Sequence, residues 1–467
     1  MRKLLALLVL LLVAAAAAYV GAGFLPGPTV QIPHPEKFVG VATPMEVLVD
    51  APGRQLSSLL VSFEQDDART PLLSYEAPAP DAPLPPELVA VDDTDGRVRV
   101  TAEVGRKTVP TIKSGAARLV VRAARPVLFG LREVETEVSR DVQVRLERPR
   151  VSVISTHHFI NHGGSELVVY RVAPEDVESG VLVGGVEYPG FPAAGAAIEG
   201  GRIADPAVRV AVFALRHDQP LDTTIHLYAR DEAGNTGRAD FDYRIFPKAA
   251  RRSRIEITDA LLDRVVPAIL AGTTDVAPAG SPIEQFVVIN SELRRKNAET
   301  IAAFARQTAP ELLWRGTAFH AFGNTSAESA FADQRTYLYQ GKEVDHQVHL
   351  GFDLASYRTT PILAANRGSV LFAAELGIYG NCVIVDHGFG VQSLYAHLST
   401  IEVQVGERVE KEQQLGRSGM TGLAGGDHLH FTMLVNGQMV NPIEWWDAHW
   451  IEDRILRKIR AVQGSSE

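Results

Sequence analysis

The chain has 467 residues, more than one ordinary hydrophobic core accommodates, so several domains are expected. Its 46% hydrophobic and 22% charged residues exclude wholesale disorder, and a net charge of −10 gives no basic face for nucleic acid. The single cysteine, Cys382, excludes an intramolecular disulfide. Its apolar surroundings, Asn381-Cys382-Val383-Ile384-Val385, predict a buried structural thiol rather than a nucleophile.

At the amino terminus Arg2 and Lys3 precede an uncharged apolar run from Leu4 to Leu25, and no acidic residue occurs before Glu36. As a helix that run is about 33 Å long, enough for a hydrocarbon core of about 30 Å. It exceeds the roughly 7–15 residues of a signal-peptide apolar segment, which favours an uncleaved anchor. The positive flank keeps the terminus in the cytoplasm and exports the rest of the chain. Small residues at Ala14 to Ala18 and Gly21-Ala22-Gly23 suit the alternative, a cleaved signal and a secreted or periplasmic protein. Residues 1–28 are therefore read as signal anchor or signal peptide. Either way the expected location is the cell envelope, with the C-terminal domain outside the cytoplasm.

Two β-rich stretches come next. Residues 29–148 contain alternating runs such as Arg97 to Val104 and Val142 to Leu146, split by a Pro-rich loop or edge from Ala77 to Pro86. Residues 149–247 end in a hairpin pattern, Thr224 to Arg230 returning as Ala239 to Ile245 through an Asn235-containing turn. That ending resembles the closing strands of immunoglobulin-like β-sandwich modules. Both stretches are read as Ig-like modules serving as spacers, or as docking surfaces for protein partners of the exported domain. His157, His158 and His162 sit here without a cysteine or carboxylate pattern and are expected in a loop.

A basic linker at Lys248 to Arg254 opens a helical region, 248–334. Leu261, Leu262, Val265, Val266, Ile269 and Leu270 recur with helical period, and Pro267 should kink or end that helix. Ser281-Pro282-Ile283-Glu284 is a capping box with proline at the first helical position, starting a helix that ends near Pro310. Arg335 to Asp345, centred on Gln340-Gly341-Lys342, reads as a hairpin. From there to residue 447 short runs punctuated by glycines predict an all-β domain, followed by a C-terminal helix or tail, 448–467. The fold class is thus multidomain and mainly β behind one membrane helix.

The chemistry concentrates in that last domain. If His349-Leu350-Gly351-Phe352-Asp353 is a strand, His349 and Asp353 share one face and Leu350 and Phe352 the other. The same alternation puts His428 and His430 together, with Leu429 and Phe431 facing a core. His397 lies on a third segment. Two imidazoles and a carboxylate suit Zn²⁺, and three protein ligands leave a fourth position for water, a zinc hydrolase pattern. His346 should lie on the rim and His387 in a turn. Tyr395, two residues from His397, is a candidate for transition-state stabilisation or a packing residue.

These motifs resemble the lysostaphin/LytM-type zinc metallopeptidases, which cut peptidoglycan peptides. The pattern H-x-G-x-D, Tyr-x-His-Leu and H-x-H appears at His349 to Asp353, Tyr395 to Leu398 and His428 to His430. The glycines of Asp386-His387-Gly388, Gly406-Glu407-Arg408-Val409, Gly416-Arg417-Ser418-Gly419 and Thr421-Gly422 occur in family order. The resemblance covers about Arg335 to Trp446. It implies that His349, Asp353 and His430 bind one Zn²⁺ per chain and that His397 and His428 are catalytic. It further implies an exported endopeptidase acting on peptidoglycan stem or cross-bridge peptides, with zinc-activated water as nucleophile. The alternative is a non-enzymatic member that activates other wall hydrolases.

Overall fold

Alternating valines fold the first β stretch. In a computed structural model that describes residues 2–51, 56–77, 88–92, 97–199, 201–314 and 316–463, Val98, Val100 and Val104 of strand Arg97–Val104 are buried while Arg97, Arg99 and Thr101 are exposed. Most of the Pro-rich stretch, 78–86, lies outside the described residues. One four-stranded sheet runs in the order Thr29–His34, Thr43–Asp50, Arg97–Val104, Leu88–Asp92. A five-stranded sheet runs Phe38–Val39, Arg132–Val144, Gly115–Val127, Ser58–Gln65, Ala68–Glu76. Val47, Val49, Val98 and Val100 of the first share a core with Leu59, Val61, Leu119 and Val121 of the second. Helix Arg2–Ala22 precedes them, apolar and exposed over Leu4–Val20, and its length and composition are enough to cross a membrane. Met1–Pro149 form one unit together with the turn Arg230–Thr236.

The remaining residues, Arg150–Ala229 and Gly237–Glu467, form a second unit. Strands Arg150–Val153, Ser165–Ala173, Val208–Ala214 and Phe191–Pro192 make one of its sheets. Val186–Pro189, Glu178–Val183, Ile225–Arg230 and Thr236–Asp240 make another. His158 is not in a loop. It is buried in strand His158–Asn161, with Nε2 2.8 Å from Ser155 Oγ and Nδ1 3.0 Å from Asp242 O, so its polar atoms are spent on structure.

The helical region holds two departures from expectation. Helix Asp259–Ala271 continues through Pro267, because Leu262, Val265, Val266 and Ile269 bury one face along its whole length. The basic linker contains a strand, Arg252–Ile257, paired in parallel with Asp333–Tyr339. The capping box at Ser281 and Glu284 forms as read, and the helical path ends at Gln307, ahead of Pro310. Asp333–Tyr339 and Lys342–His349 make the expected hairpin, with Gln340 and Gly341 both at positive φ.

The C-terminal sheet is antiparallel: Ser326–Ser329, Phe352–Ala355, Leu429–Val435, Val391–Leu398, Asn381–Gly388, Gly368–Glu375, Arg408–Val409. Its core face carries Phe352, Leu354, Tyr395, Leu429 and Phe431, and this core is continuous with that of the preceding module. Helix Pro442–Trp446 and the helical tail to Gln463 return to that module. Buried Glu444 accepts hydrogen bonds from Asn161 Nδ2 (2.8 Å) and from Ser165 N (2.8 Å) and Oγ (3.2 Å). Lys458 Nζ donates to Glu166 Oε1 at 2.8 Å, and both residues are buried.

Candidate active site

Cross-strand register assembles the site. Asp353 lies opposite His430, between the core pairs Phe352–Phe431 and Leu354–Leu429. The H-x-G-x-D motif is not one strand, however. Lys342–His349 ends, Leu350 and Gly351 break the ladder, and Phe352–Ala355 begins a different sheet. Gly351 has a steric reason: a Cβ there would lie 2.6 Å from the His430 ring. The break keeps His349 and Asp353 together. His349 Nε2, Asp353 Oδ1 and His430 Nδ1 are mutually 3.0 Å apart.

His397 reaches this group by a bulge. Tyr395 pairs with Val383 and Leu398 with Asn381, so Ala396 and His397 together oppose Cys382. His397 adopts φ +63°, a left-handed conformation that costs a non-glycine residue on the order of 1 kcal/mol or more. Strict alternation would place His397 with Tyr395 on the core face. The bulge instead brings its ring to 4.8 Å from His428 and 5.8 Å from His430, centroid to centroid. Tyr395 is the packing residue: it is buried against Phe431, its hydroxyl accepting from Ala365 N at 2.7 Å. His387 is not in a turn but buried in strand Asn381–Gly388, bonded to Arg367 O and Ser393 Oγ, and burial lowers its pKa to about 4. His346 is exposed on its strand, away from the group.

The proton inventory shows what the three atoms can hold. His349 Nδ1 faces Ala330 O at 3.1 Å; a carbonyl only accepts, so Nδ1 carries the hydrogen. In the neutral ring Nε2 then turns a lone pair toward Asp353 and His430. His430 Nε2 is buried with no partner, while its Nδ1 points inward. Lone pairs converging beside a carboxylate repel one another unless a proton or a cation lies between them. Two imidazole nitrogens and one oxygen are the donor set of a divalent transition metal, and these three residues could hold one.

Electrostatics separate the two flanking histidines. Burial alone would raise Asp353, but the facing imidazoles, His349 first and then His428 and His430, hold it well below the usual range. Burial lowers His430 to about 4 and, with His428 and His430 nearby, lowers His397 well below the ordinary imidazole value. For His428 burial is outweighed by Asp353, whose Oδ1 is 3.4 Å from Nε2, and the pKa is raised. His397 donates Nδ1–H to Thr421 O and His428 donates Nδ1–H to Gly426 O, both at 2.8 Å. Each ring therefore turns Nε2 away from its backbone anchor.

A cleft of about 450 Å³ opens over these residues, with Leu261, Phe286 and Arg294 on one wall and Leu423 to Gly426 on another. Arg264 Nη2 donates to Ala424 O at 2.7 Å and ties the helical region to the glycine-rich loop. Sequence reasoning overlooked Arg335, whose Nη2 donates to Asp353 Oδ2 at 2.7 Å. The only available signal was a charged residue in an alternating strand two positions after Asp333.

An antiparallel sheet carrying a His–Asp–His group in a cleft, with two further histidines beside it, is an arrangement that could serve a metal-dependent hydrolase. Residues 347–442 match the model of Peptidase family M23. The DD-carboxypeptidase/endopeptidase Mpg of Neisseria meningitidis serogroup B is 40% identical over 97 residues, 21% of this chain and 22% of that protein. The peptidoglycan DD-endopeptidase ShyA of Vibrio cholerae is 36% identical over 96 residues, again 21% of this chain and 22% of the relative. The chain thus spans about a fifth of the length of the relatives it matches. The catalytic domain of lysostaphin from Staphylococcus simulans is 25% identical, with a TM-score of 0.23, covering 26% of this chain and 92% of that structure.

Proposed function

We propose that this chain is an exported zinc metalloendopeptidase that hydrolyses peptide cross-links of bacterial peptidoglycan, held at the membrane by its N-terminal helix. The observation that carries this reading is the 3.0 Å convergence of His349 Nε2, Asp353 Oδ1 and His430 Nδ1 beneath a cleft flanked by His397 and His428. The DD-endopeptidase names of the matched relatives support D,D-cross-links as the substrate. When bound, zinc supplies Lewis-acid polarisation of a carbonyl and acidifies water.

The chain's own groups supply the rest. His397, neutral with its hydrogen held on Nδ1 by Thr421 O, offers Nε2 as a proton acceptor. His428, whose Nε2 faces Asp353 Oδ1 at 3.4 Å, is placed to hydrogen-bond an oxyanion or to pass a proton to a leaving amine. Its place beside His430 on one strand also makes His428 a candidate base, and both rings are anchored alike through Nδ1–H at 2.8 Å to a backbone carbonyl. Arg335 fixes the Asp353 carboxylate from behind. The apolar wall of Leu261 and Phe286 and the glycine-rich loop fit a thin peptide stem rather than a folded protein.

The test is digestion of purified sacculi with the detergent-solubilised full-length chain, with products identified by mass spectrometry. Cross-linked muropeptides should convert to monomers, and a chelator should stop the conversion. Products unchanged from a buffer control would refute hydrolysis. Sacculi digested only when a second hydrolase is added would favour the activator alternative.

A further inference from the structure

The hairpin of strands Gly115–Val127 and Arg132–Val144 ends in a turn with no polar side chain, Leu128-Phe129-Gly130-Leu131. Phe129 is 103% exposed and Leu131 71% exposed. Leu128, Phe129 and Gly130 all have positive φ. The turn closes on itself, Gly130 N donating to Val127 O at 3.1 Å and Leu131 N to Leu128 O at 3.2 Å. These two bonds tighten the turn.

The position of this turn follows from contacts within the first unit. Gly27 abuts Thr136, and a Cβ on Gly23 would meet the Arg132 guanidinium. Arg132 Nη1 donates to Tyr19 O and Val20 O at the end of the N-terminal helix, and its guanidinium lies 5.0 Å from the Tyr19 ring centroid. Arg125 Nε donates to Pro26 O at 2.7 Å. Following the chain backwards from Gly27 into the helix thus means moving along the strand from Thr136 to Arg132. The next residues along the strand, Leu131 to Phe129, continue in the direction of the helix, reaching roughly 7 Å past Arg132 at strand rise. An arginine pair and a tyrosine at that boundary, with apolar side chains beyond, match the layering of a bilayer interface.

We propose that the Leu128–Leu131 turn is a second membrane contact, sinking Phe129 and Leu131 into the acyl boundary of the bilayer crossed by the N-terminal helix. Arg125 and Arg132 then sit at phosphate level. One helix alone leaves the first β unit free to swivel; two contacts fix which way it faces. The inference rests on reading helix Arg2–Ala22 as an uncleaved span.

Cys382 is buried and is the one cysteine, so Phe129→Cys creates the one accessible thiol without touching the core. The full-length variant is labelled with a nitrobenzoxadiazole dye and reconstituted in vesicles of phosphatidylethanolamine and phosphatidylglycerol. Lys107→Cys, exposed beyond the opposite end of strand Gly115–Val127, is the control. Both proteins should float with the vesicles. The label at 129 should shift to the blue and lose most of its emission to doxyl-labelled lipid, while the label at 107 does neither. A chain that floats while both labels report water overturns the membrane contact alone. A chain that does not float overturns the anchor, and the contact with it. Shielding at 129 only after an envelope extract is added assigns the turn to a protein partner and overturns the proposal.

Discussion

Arg335 and Asp353 form a 2.7 Å ion pair through the carboxylate oxygen that faces away from the histidines. Oδ1 meets His349 and His430, and Oδ2 is held by the guanidinium. The carboxylate is thereby fixed at both ends, which pre-sets the angle at which Oδ1 points into the triangle. Groups that orient metal ligands in this way typically contribute about 10–100-fold to metal affinity. Arg335→Gln should weaken zinc binding by that factor, measured by chelator competition. Arg335→Lys should recover part of it, since an ammonium keeps the charge but loses the planar fork. Affinity unchanged in both variants would mean that Asp353 needs no such support.

The metal assignment is tested by composition. His349→Ala, Asp353→Ala and His430→Ala should each purify with zinc well below one per chain and with sacculus hydrolysis lost, because each removes a third of the donor set. Full metal content in His430→Ala would displace that residue from the site.

His397→Ala and His428→Ala should behave differently. Neither ring contributes to the three-atom triangle, so both variants should retain zinc while turnover falls by about 10²–10⁴. Mass spectrometry of metal content, paired with muropeptide release, separates this outcome from a loss of ligands. A variant that keeps its zinc and its full rate would remove that histidine from the mechanism.

Glu444 gives a pH dependence of stability independent of the metal. Burial raises its pKa to about 7 from an ordinary 4.5, although Asn161 and Ser165 donate to it. A raised folded-state pKa means that the folded chain binds the proton more tightly than the unfolded chain. Its contribution is full below 4.5 and is lost as pH rises through 7, on the order of 3 kcal/mol in all. The wild-type melting temperature should fall between about pH 5 and pH 8 more steeply than that of Glu444→Gln. Parallel curves would place the carboxylate in a better-solvated state than the fold indicates.

Much of this centre was legible because strand periodicity is local. Leu429 and Phe431 announced a core face, and the shared side of His428 and His430 is its complement. The H-x-G-x-D spacing does bring His349 beside Asp353, but through a chain break at Gly351 rather than a continuous strand. His397 and Tyr395 exposed the limit of alternation: one bulge reverses which of them reaches the cleft, and no residue type there signals it. Strand Arg252–Ile257 was hidden by its basic composition, and its partner Asp333–Tyr339 is distant in sequence. Pro267 misled because the buried face of its helix outweighs a lost hydrogen bond.

The pairing of Lys458 with Glu166, and of Glu444 with Asn161 and Ser165, means that the C-terminal domain is not a cassette. Each bond joins the carboxyl-terminal end of the chain to a strand more than half its length upstream. A gene fragment ending at the last sheet strand would lose both the Lys458 partner of Glu166 and the helical tail that carries it. Shuffling of this domain onto another scaffold is therefore penalised unless the partner strand travels with it. The module beside it is part of that domain's foundation, and the same bonds oppose a hinge between the two.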